Sequence, residues 1–427
     1  MSVEAVLSIA VLALGFVVAI AAARRSDSRH RLRLAHPAVA WLALTGIFFG
    51  LGSIVLAIGG RPGPAEYIGA AAAAFGLGLL GSDALARRRA LRAEVAAQAE
   101  FRDQAPTRIW AVALLAGIGI LAVAPTLLQA GIPFLVNDIT AARAELSGLS
   151  VQILRVTLAG AAAVAVLLVV TSSSPRRRWL AIAAVIAIAA FEVLLASRYL
   201  LAELGATIAL AWLLAGRRIP LFVAGGVLAM ALVAFGGIQL LRAYDQAHHQ
   251  EIDFVIDRTV NRIVLVQPRT LDAFMEVIPK EHDYFLGLTW LHRLAPLFGR
   301  DDVPNLGYWI YPRVVQGEQV TAGYAAPGWL GEAWANFGWA GIALFVALGV
   351  AVERLAALVA LRTRRGGVPG HADVAAAALA ILFVARTHAL GVAGLAILLV
   401  LVAAWRLLAA PSAGLGRDLV RTVAWRT

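Results

Sequence analysis

The chain has 427 residues, 61% of them hydrophobic, and carries a net charge of +11 without a single cysteine. A mean hydropathy of +0.80 is far above that of ordinary soluble proteins, and the absence of cysteine excludes disulfides, zinc–thiolate sites and iron–sulfur clusters. Most of the excess positive charge lies in short loops between apolar runs, as in membrane proteins, so nucleic acid is not an expected partner.

Apolar runs of about 20 residues, each long enough to cross a hydrocarbon core of roughly 30 Å, recur along the chain. The first run is preceded by an acid and followed by arginines, unlike a cleavable signal peptide, so we expect it to remain as a span. The pattern predicts an all-α polytopic membrane protein with about eleven spanning helices. They are residues 4–23, 37–59, 65–86, 109–130, 153–171, 179–196, 199–215, 219–241, 328–361, 372–386 and 389–409.

Alternate threading of these spans places every arginine-rich loop on one side of the membrane. Because loops retained in the cytoplasm collect lysine and arginine, we expect the N-terminus outside and the C-terminus in the cytoplasm. The arginine-rich loops are 24–36, 87–108, 172–178, 216–220 and 362–371, together with the C-terminal tail.

The longest segment without a spanning signal, residues 242–327, lies on the outer side in this topology and is called the long loop. It separates an N-terminal group of about eight spans (1–241) from a C-terminal group of about three spans with a cytoplasmic tail (328–427). A shorter outer segment, 131–152, is amphipathic and is expected to lie on the membrane interface.

The sixth and seventh predicted spans are joined only by Ser197 and Arg198, which puts a charged side chain near the outer membrane surface. Glu192 and Glu203 lie on either side of this turn, roughly 8 Å below its tip. Ionisable side chains inside a span are costly and are functional candidates by default. The three charges predict either a ligand site or a structural ion-pair cluster, and an Arg198 that only contacts lipid headgroups is the third alternative.

Arg386, at the outer end of the tenth predicted span, has no acid within one helical turn. Its partner must come from elsewhere in the fold or from a ligand, unless it anchors the chain to headgroups. Together with Arg198 it would place two guanidinium groups near the outer leaflet, and guanidinium binds phosphate oxygens in a bidentate manner. His388, two residues later, is a candidate base in the same region.

Two parts of the long loop show recognisable patterns. Residues 258–278 are predicted to be helical, with Arg258, Arg262 and Arg269 in one basic stripe. The remainder is irregular and rich in aromatic residues, which either pack on sugar rings or form the loop's own small core. They include Trp290, His292, Trp309 and Tyr311.

Pro327 ends the long loop and is predicted to start the ninth span as one helix, 328–361. Glu332 lies close to the start of that helix, where the N-terminus favours a carboxylate. Three tryptophans in the same stretch are expected to form an interfacial aromatic belt, namely Trp329, Trp334 and Trp339.

The stretch that begins at Pro327 resembles the P-x-x-x-G-E-x-x-x-N-F-G-x-x-G run of the Wzy-type O-antigen and oligosaccharide repeat-unit polymerases. The Ser197–Arg198 turn is similar to the arginine hairpin of that family, and Arg386 lies where its members often carry an arginine. The resemblance covers about residues 179–400. Matching positions in the run are Pro327, Gly331, Glu332, Asn336, Phe337, Gly338 and Gly341.

This resemblance implies a glycosyltransferase of the GT-C type, embedded in a bacterial inner membrane, that uses no nucleotide sugar, metal or other cofactor. The implied donor is a growing glycan on undecaprenyl pyrophosphate, and the acceptor is an incoming lipid-linked repeat unit. Membrane lipids, a chain-length regulator protein and a flippase are the other implied partners. We expect Arg198, Arg386 and Arg262 to bind the pyrophosphate. Glu332 is expected to act as the base or to orient the acceptor, with His388 in reserve. Arg258 and Glu203 complete the predicted substrate-binding set.

Three alternatives remain, of which a structural membrane partner without chemistry leaves Arg386 unexplained. Ligases that attach O-antigen to lipid A carry a loop histidine with a glycine at a fixed spacing. His249–Gln250 begins that pattern, but Val260 occupies the glycine position, which disfavours a ligase. A lipid-linked glycan flippase or small-molecule transporter is the third. It is less favoured because the chain has no internal repeat and its buried charges lie near one face of the membrane.

Overall fold

The computed structural model describes residues 2–30, 32–97, 109–136, 142, 146, 148–215, 225–226, 264–291, 302–314, 325, 327–364 and 377–381. Within these residues every regular element is a helix. Numbered in chain order they are α1 Val3–His30, α2 Pro37–Thr45, α3 Leu51–Ile58, α4 Gly63–Ala97, α5 Trp110–Ala130, α6 Gly148–Thr171, α7 Pro175–Leu194, α8 Arg198–Leu214, α9 Val266–Val277, α10 Leu306–Val314, α11 Gly328–Phe337 and α12 Ile342–Arg364.

Six stretches of this part of the chain are helical, long and apolar enough to cross a membrane. They are Val3–Ser28, Pro37–Ile58, Gly63–Ser82, Trp110–Leu135, Ser150–Thr171 and Gly328–Ala357. The prediction of an α-helical membrane protein is confirmed at this level. Each stretch overlaps a predicted span, because spanning length and apolar composition are local properties of the sequence.

The other five predicted spans are described only in part. Residues 179–196 and 199–215 form helices α7 and α8, the second of which has a shorter apolar length, Leu200–Leu214. Of 372–386 the structure describes 377–381, and 219–241 and 389–409 lie outside the described residues apart from 225–226.

Helices α1, α4 and α12 pack together through close backbone contacts. A Cβ atom on Gly69 of α4 would lie 2.6 Å from the carbonyl oxygen of Val11 in α1. Gly78 of α4 and Gly349 of α12 make an equally close pair. Small residues let spanning helices approach in a lipid environment that provides no hydrophobic drive between them.

A second group of helices forms around α6, which contacts α5, α7 and α8. Its run of alanines, Ala161 to Ala163, is fully buried, which allows three neighbours to close on one helix. The first group has its own core, in which the rings of Trp41 and Phe75 stack with centroids 4.1 Å apart.

The prediction that 328–361 is one continuous helix is wrong. Helix α11 ends at Phe337, and a single 3-10 turn, Gly338–Gly341, separates it from α12. Gly338 has a φ of +56°, a conformation that L side chains rarely adopt. Apolar composition continues through the break, so only the glycine marks it in the sequence.

Candidate functional site

Helix α11 forms the first part of the spanning stretch Gly328–Ala357 and packs against the described part of the long loop. Helix α9 packs on both α11 and α10. The contact between α9 and α11 is close, since α11 has a glycine there: a Cβ on Gly331 would lie 3.3 Å from the ring of Phe274, which is fully buried in α9. The predicted helix at 258–278 is thus confirmed for Val266–Val277, with Arg269 exposed on it.

Asn336 attaches the turn at residues 285–289 to the end of α11. Its Nδ2 donates to Thr289 Oγ1 at 2.7 Å and to the carbonyl oxygen of Glu332 at 2.8 Å. Its Oδ1 accepts from the backbone N–H of Gly287 at 2.7 Å. The side chain is 0% exposed, so these bonds are shielded from water. Two further hydrogen bonds run from the backbone N–H groups of Phe285 and Leu286 to carbonyl oxygens at the end of α11.

The glycines that follow Asn336 allow two tyrosines to approach the helix break. A Cβ on Gly338 would lie 2.5 Å from the hydroxyl oxygen of Tyr284. A Cβ on Gly341 would lie 2.6 Å from the carbonyl oxygen of Ala333 and 2.9 Å from the hydroxyl of Tyr67. Tyr67 in turn donates to the carbonyl oxygen of Gly338 at 3.3 Å. Backbone shape and packing therefore explain the glycines at these two positions of the Pro327–Gly341 run.

Glu332 is the residue of the Pro327–Gly341 run whose side chain these packing contacts do not explain. Its side chain is half-buried on α11 and lies next to the indole N–H of Trp290. The contact does not reach hydrogen-bond geometry, and the buried Trp290 Nε1 has no acceptor among the described residues. The Trp290 ring packs edge-on against Phe337 with centroids 5.7 Å apart. The carboxylate thus has one loosely placed polar neighbour, the Trp290 indole N–H, and such a carboxylate can bind a ligand or accept a proton.

Most described aromatic residues near this helix form a core and do not face outward. Trp309 packs on Phe274, Phe285 and His282, as expected for the interior of a small loop domain. Trp334 is only 6% exposed, and its Nε1 donates to the carbonyl oxygen of Ile278. The prediction that Trp334 belongs to an interfacial belt is therefore wrong, whereas Trp339 is exposed.

Arg61, in the short connection before α4, joins the spanning helices to α9. Its guanidinium lies 2.6 Å from Asp272 Oδ2 and 3.1 Å from Glu276 Oε1. Burial raises the pKa of the Asp272 carboxyl, and the hydrogen bond from Arg61 offsets part of that rise. The pair fixes one edge of the loop against the membrane-spanning part.

Sequence reasoning missed the partner of Glu203. Arg155 of α6 binds Glu203 of α8 through two hydrogen bonds, of 2.7 and 3.0 Å, and each side chain is 12% exposed. Glu192 of α7 is 3% exposed, lies within electrostatic reach of this pair, and its Oε2 has no hydrogen-bond partner among the described residues. Arg155 lies 48 residues from Glu203, so no local pattern could have indicated the pair.

The tight hairpin between the sixth and seventh spans is confirmed. Helix α7 ends at Leu194 and α8 begins at Arg198, with the Ser197 hydroxyl accepting from the backbone N–H of Leu200 at 3.5 Å. The described backbone thus includes Arg198, but its side chain lies outside the described part. That it covers the two carboxylates remains a prediction.

Four further predicted site residues lie outside the described residues, namely Arg258, Arg262, Arg386 and His388. Their convergence on the outer leaflet therefore remains a prediction. Across the described ranges, no group of three or more His, Asp or Glu side chains is arranged to hold a metal ion.

A buried polar chain joins α1, the start of α2 and α12. Ser26 Oγ lies 2.8 Å from His36 Nε2 and also donates to the Glu353 carboxylate. His36 Nδ1 accepts from the backbone N–H of Ala38 at 3.2 Å, so a neutral imidazole carries its proton on Nε2. In a catalytic triad the imidazole accepts the serine proton, which this tautomer cannot do. We therefore assign a structural role to this Ser26–His36–Glu353 hydrogen-bond network.

Comparison with known proteins gives no relative from which a function could be transferred: no protein-family model, no curated protein and no solved structure matches the chain. The resemblance to Wzy-type polymerases thus rests on the residues of the Pro327–Gly341 run and on the arginines named above.

Proposed function

We propose that this protein is a membrane-embedded glycosyltransferase that polymerises lipid-linked oligosaccharide repeat units on the outer leaflet of a bacterial inner membrane. The observation that carries the proposal is the contrast within the Pro327–Gly341 run. Gly331, Asn336 and Gly338 have packing or hydrogen-bonding roles between α11 and the long loop. Gly341 packs against Ala333 and Tyr67. The Glu332 carboxylate has only the loose contact with the Trp290 indole N–H and remains available for chemistry.

The proposed reaction is a displacement at the anomeric carbon of the donor glycan. A hydroxyl oxygen of the acceptor unit forms the new glycosidic bond while the bond to undecaprenyl pyrophosphate breaks. Glu332 accepts the hydroxyl proton as general base, and pyrophosphate leaves with the bonding electrons. Arg198, Arg386 and Arg262 stabilise the charge that develops on the leaving group, since preorganised cations act most strongly where water is excluded.

The rigid setting of α11 supports this role. A general base must be held within hydrogen-bond reach of the proton that it removes. The Asn336 hydrogen bonds fix the turn that carries Trp290, and the Arg61–Asp272 pair fixes α9, on which α11 packs. Glu332 therefore lies on a helix that is held against the long loop.

The test compares a gene-deletion strain complemented with wild-type protein, Glu332→Gln or Glu281→Gln. Surface glycan from each strain is separated by size on a gel. We expect Glu332→Gln to lose the long ladder while single repeat units still reach the surface, because loss of a general base lowers rates by about 10²–10⁴-fold. Glu281, an exposed loop acid paired with Arg313, is the matched control and should retain the ladder.

A second candidate function, a lipid-linked glycan flippase, is favoured by a separate observation. Arg155, Glu192 and Glu203 form a buried charged group on helices α6 to α8, and intramembrane charges often mark a transport pathway. The same experiment separates the two functions. Loss of all surface glycan in the deletion strain, with lipid-linked units retained inside, would establish the flippase and contradict the polymerase.

A further inference from the structure

We propose that Trp290 and Glu332 together form a binding site for one hydroxyl group of a sugar. The indole N–H donates to the hydroxyl oxygen, and the carboxylate accepts the hydroxyl proton. The identification of that sugar as the acceptor repeat unit rests on the proposed function. The two-point site itself rests on the arrangement of the two side chains.

The first step of the argument is the state of the two groups. Trp290 Nε1 is buried, adjoins the Glu332 carboxylate and has no acceptor in hydrogen-bond geometry among the described residues. Buried polar groups in folded proteins are nearly always hydrogen-bonded, and each exception needs a reason. A ligand that completes the bond when it binds is such a reason.

The second step is the chemistry of the occupant. An indole N–H is a donor only, and Glu332 is an acceptor only in the ionised form that a general base requires. A cation would be attracted by Glu332 but repelled by the N–H, whereas a phosphate would satisfy the N–H but be repelled by the carboxylate. A hydroxyl group both donates and accepts, so a single hydroxyl satisfies both side chains.

The third step is the fixed spacing of the pair. Trp290 follows directly on the turn that Asn336 holds through Gly287 and Thr289. Asn336 also donates to the carbonyl oxygen of Glu332. One side chain therefore ties the backbone next to both members of the site. In addition, Phe337 packs against the Trp290 ring, which restrains the direction of the indole N–H.

The test observes the indole directly. Full-length protein in lipid nanodiscs is labelled with ¹⁵N at the tryptophan indoles, and the signals of Trp290 and Trp334 are assigned from Trp290→Phe and Trp334→Phe. The first probe is the lipid-linked repeat unit extracted from the deletion strain. We expect it to shift the Trp290 N–H proton signal downfield, because a proton that enters a hydrogen bond is deshielded. Trp334, already bonded to Ile278, should not shift.

The second probe is undecaprenyl pyrophosphate without sugar, which should leave Trp290 unchanged. A shift with both probes would show that the site binds the lipid phosphate. No shift with either probe would show that the indole contacts no ligand. Each of these results would overturn the inference. In assays of polymer growth, Trp290→Phe should lower kcat/KM about tenfold, the equivalent of one hydrogen bond. Unchanged kinetics in this variant would also overturn the inference.

Failure of this inference is distinguishable from failure of the proposed function. If Glu332→Gln abolishes the ladder but the Trp290 signal does not respond, the polymerase stands and the hydroxyl site falls. If the repeat unit shifts the Trp290 signal but the ladder survives Glu332→Gln, the sugar site stands and the catalytic role of Glu332 falls.

Discussion

Replacement of Asn336 by alanine tests whether the end of α11 and the turn at 285–289 form one structural unit. The substitution removes three hydrogen bonds from a side chain that is 0% exposed. The Gly287 N–H loses its acceptor inside the protein, at a cost of about 1–3 kcal/mol. The two lost Nδ2 bonds, to Thr289 and Glu332, add about 1 kcal/mol each. We therefore expect a loss of roughly 3–5 kcal/mol of unfolding free energy.

The assay is thermal unfolding of the purified protein, combined with limited proteolysis of the long loop. Asn305→Ala is the matched control, because Asn305 Oδ1 accepts a single local bond from the Gly307 N–H at 3.1 Å. Its loss should cost about 1 kcal/mol. If both variants lower the midpoint of unfolding by the same small amount, the Asn336 bonds do not hold the turn. The reasoning about the site would then fail as well.

Two further predictions concern the spanning helices. Gly69→Val should prevent α1 from packing on α4, because the added Cβ would lie 2.6 Å from a backbone oxygen. The yield of membrane-inserted protein should therefore drop severely. Gly81→Val is the control, because a Cβ there meets nothing within 4 Å, and equal yields of the two variants would contradict the packing argument. Arg155→Leu should leave Glu203 buried without its bidentate partner and cost about 3–5 kcal/mol. The double change of Arg155 and Glu203 to leucine should recover most of that loss in thermal unfolding, and a double variant as unstable as the single one would argue against the pair.

Part of the candidate site could be predicted from sequence alone. The run that follows Pro327 indicates Glu332, and two adjoining apolar segments predict the tight turn at Ser197. Trp290 was recognised only as one of several loop aromatics, because the residue that fixes its turn, Asn336, lies more than 40 positions later in the chain. A contact of this kind has no periodic signature.

Local composition determined which segments are helical and which are long enough to cross a membrane, since these properties depend on runs of neighbouring residues. Tertiary structure alone decided the break at Gly338, where Tyr284 occupies the space of a side chain. It also decided the partner of Glu203 and the burial of Trp334. The physical reason is the same in each case: backbone crowding, ion pairing and burial arise between residues that are distant in the chain and become neighbours only after the helices pack.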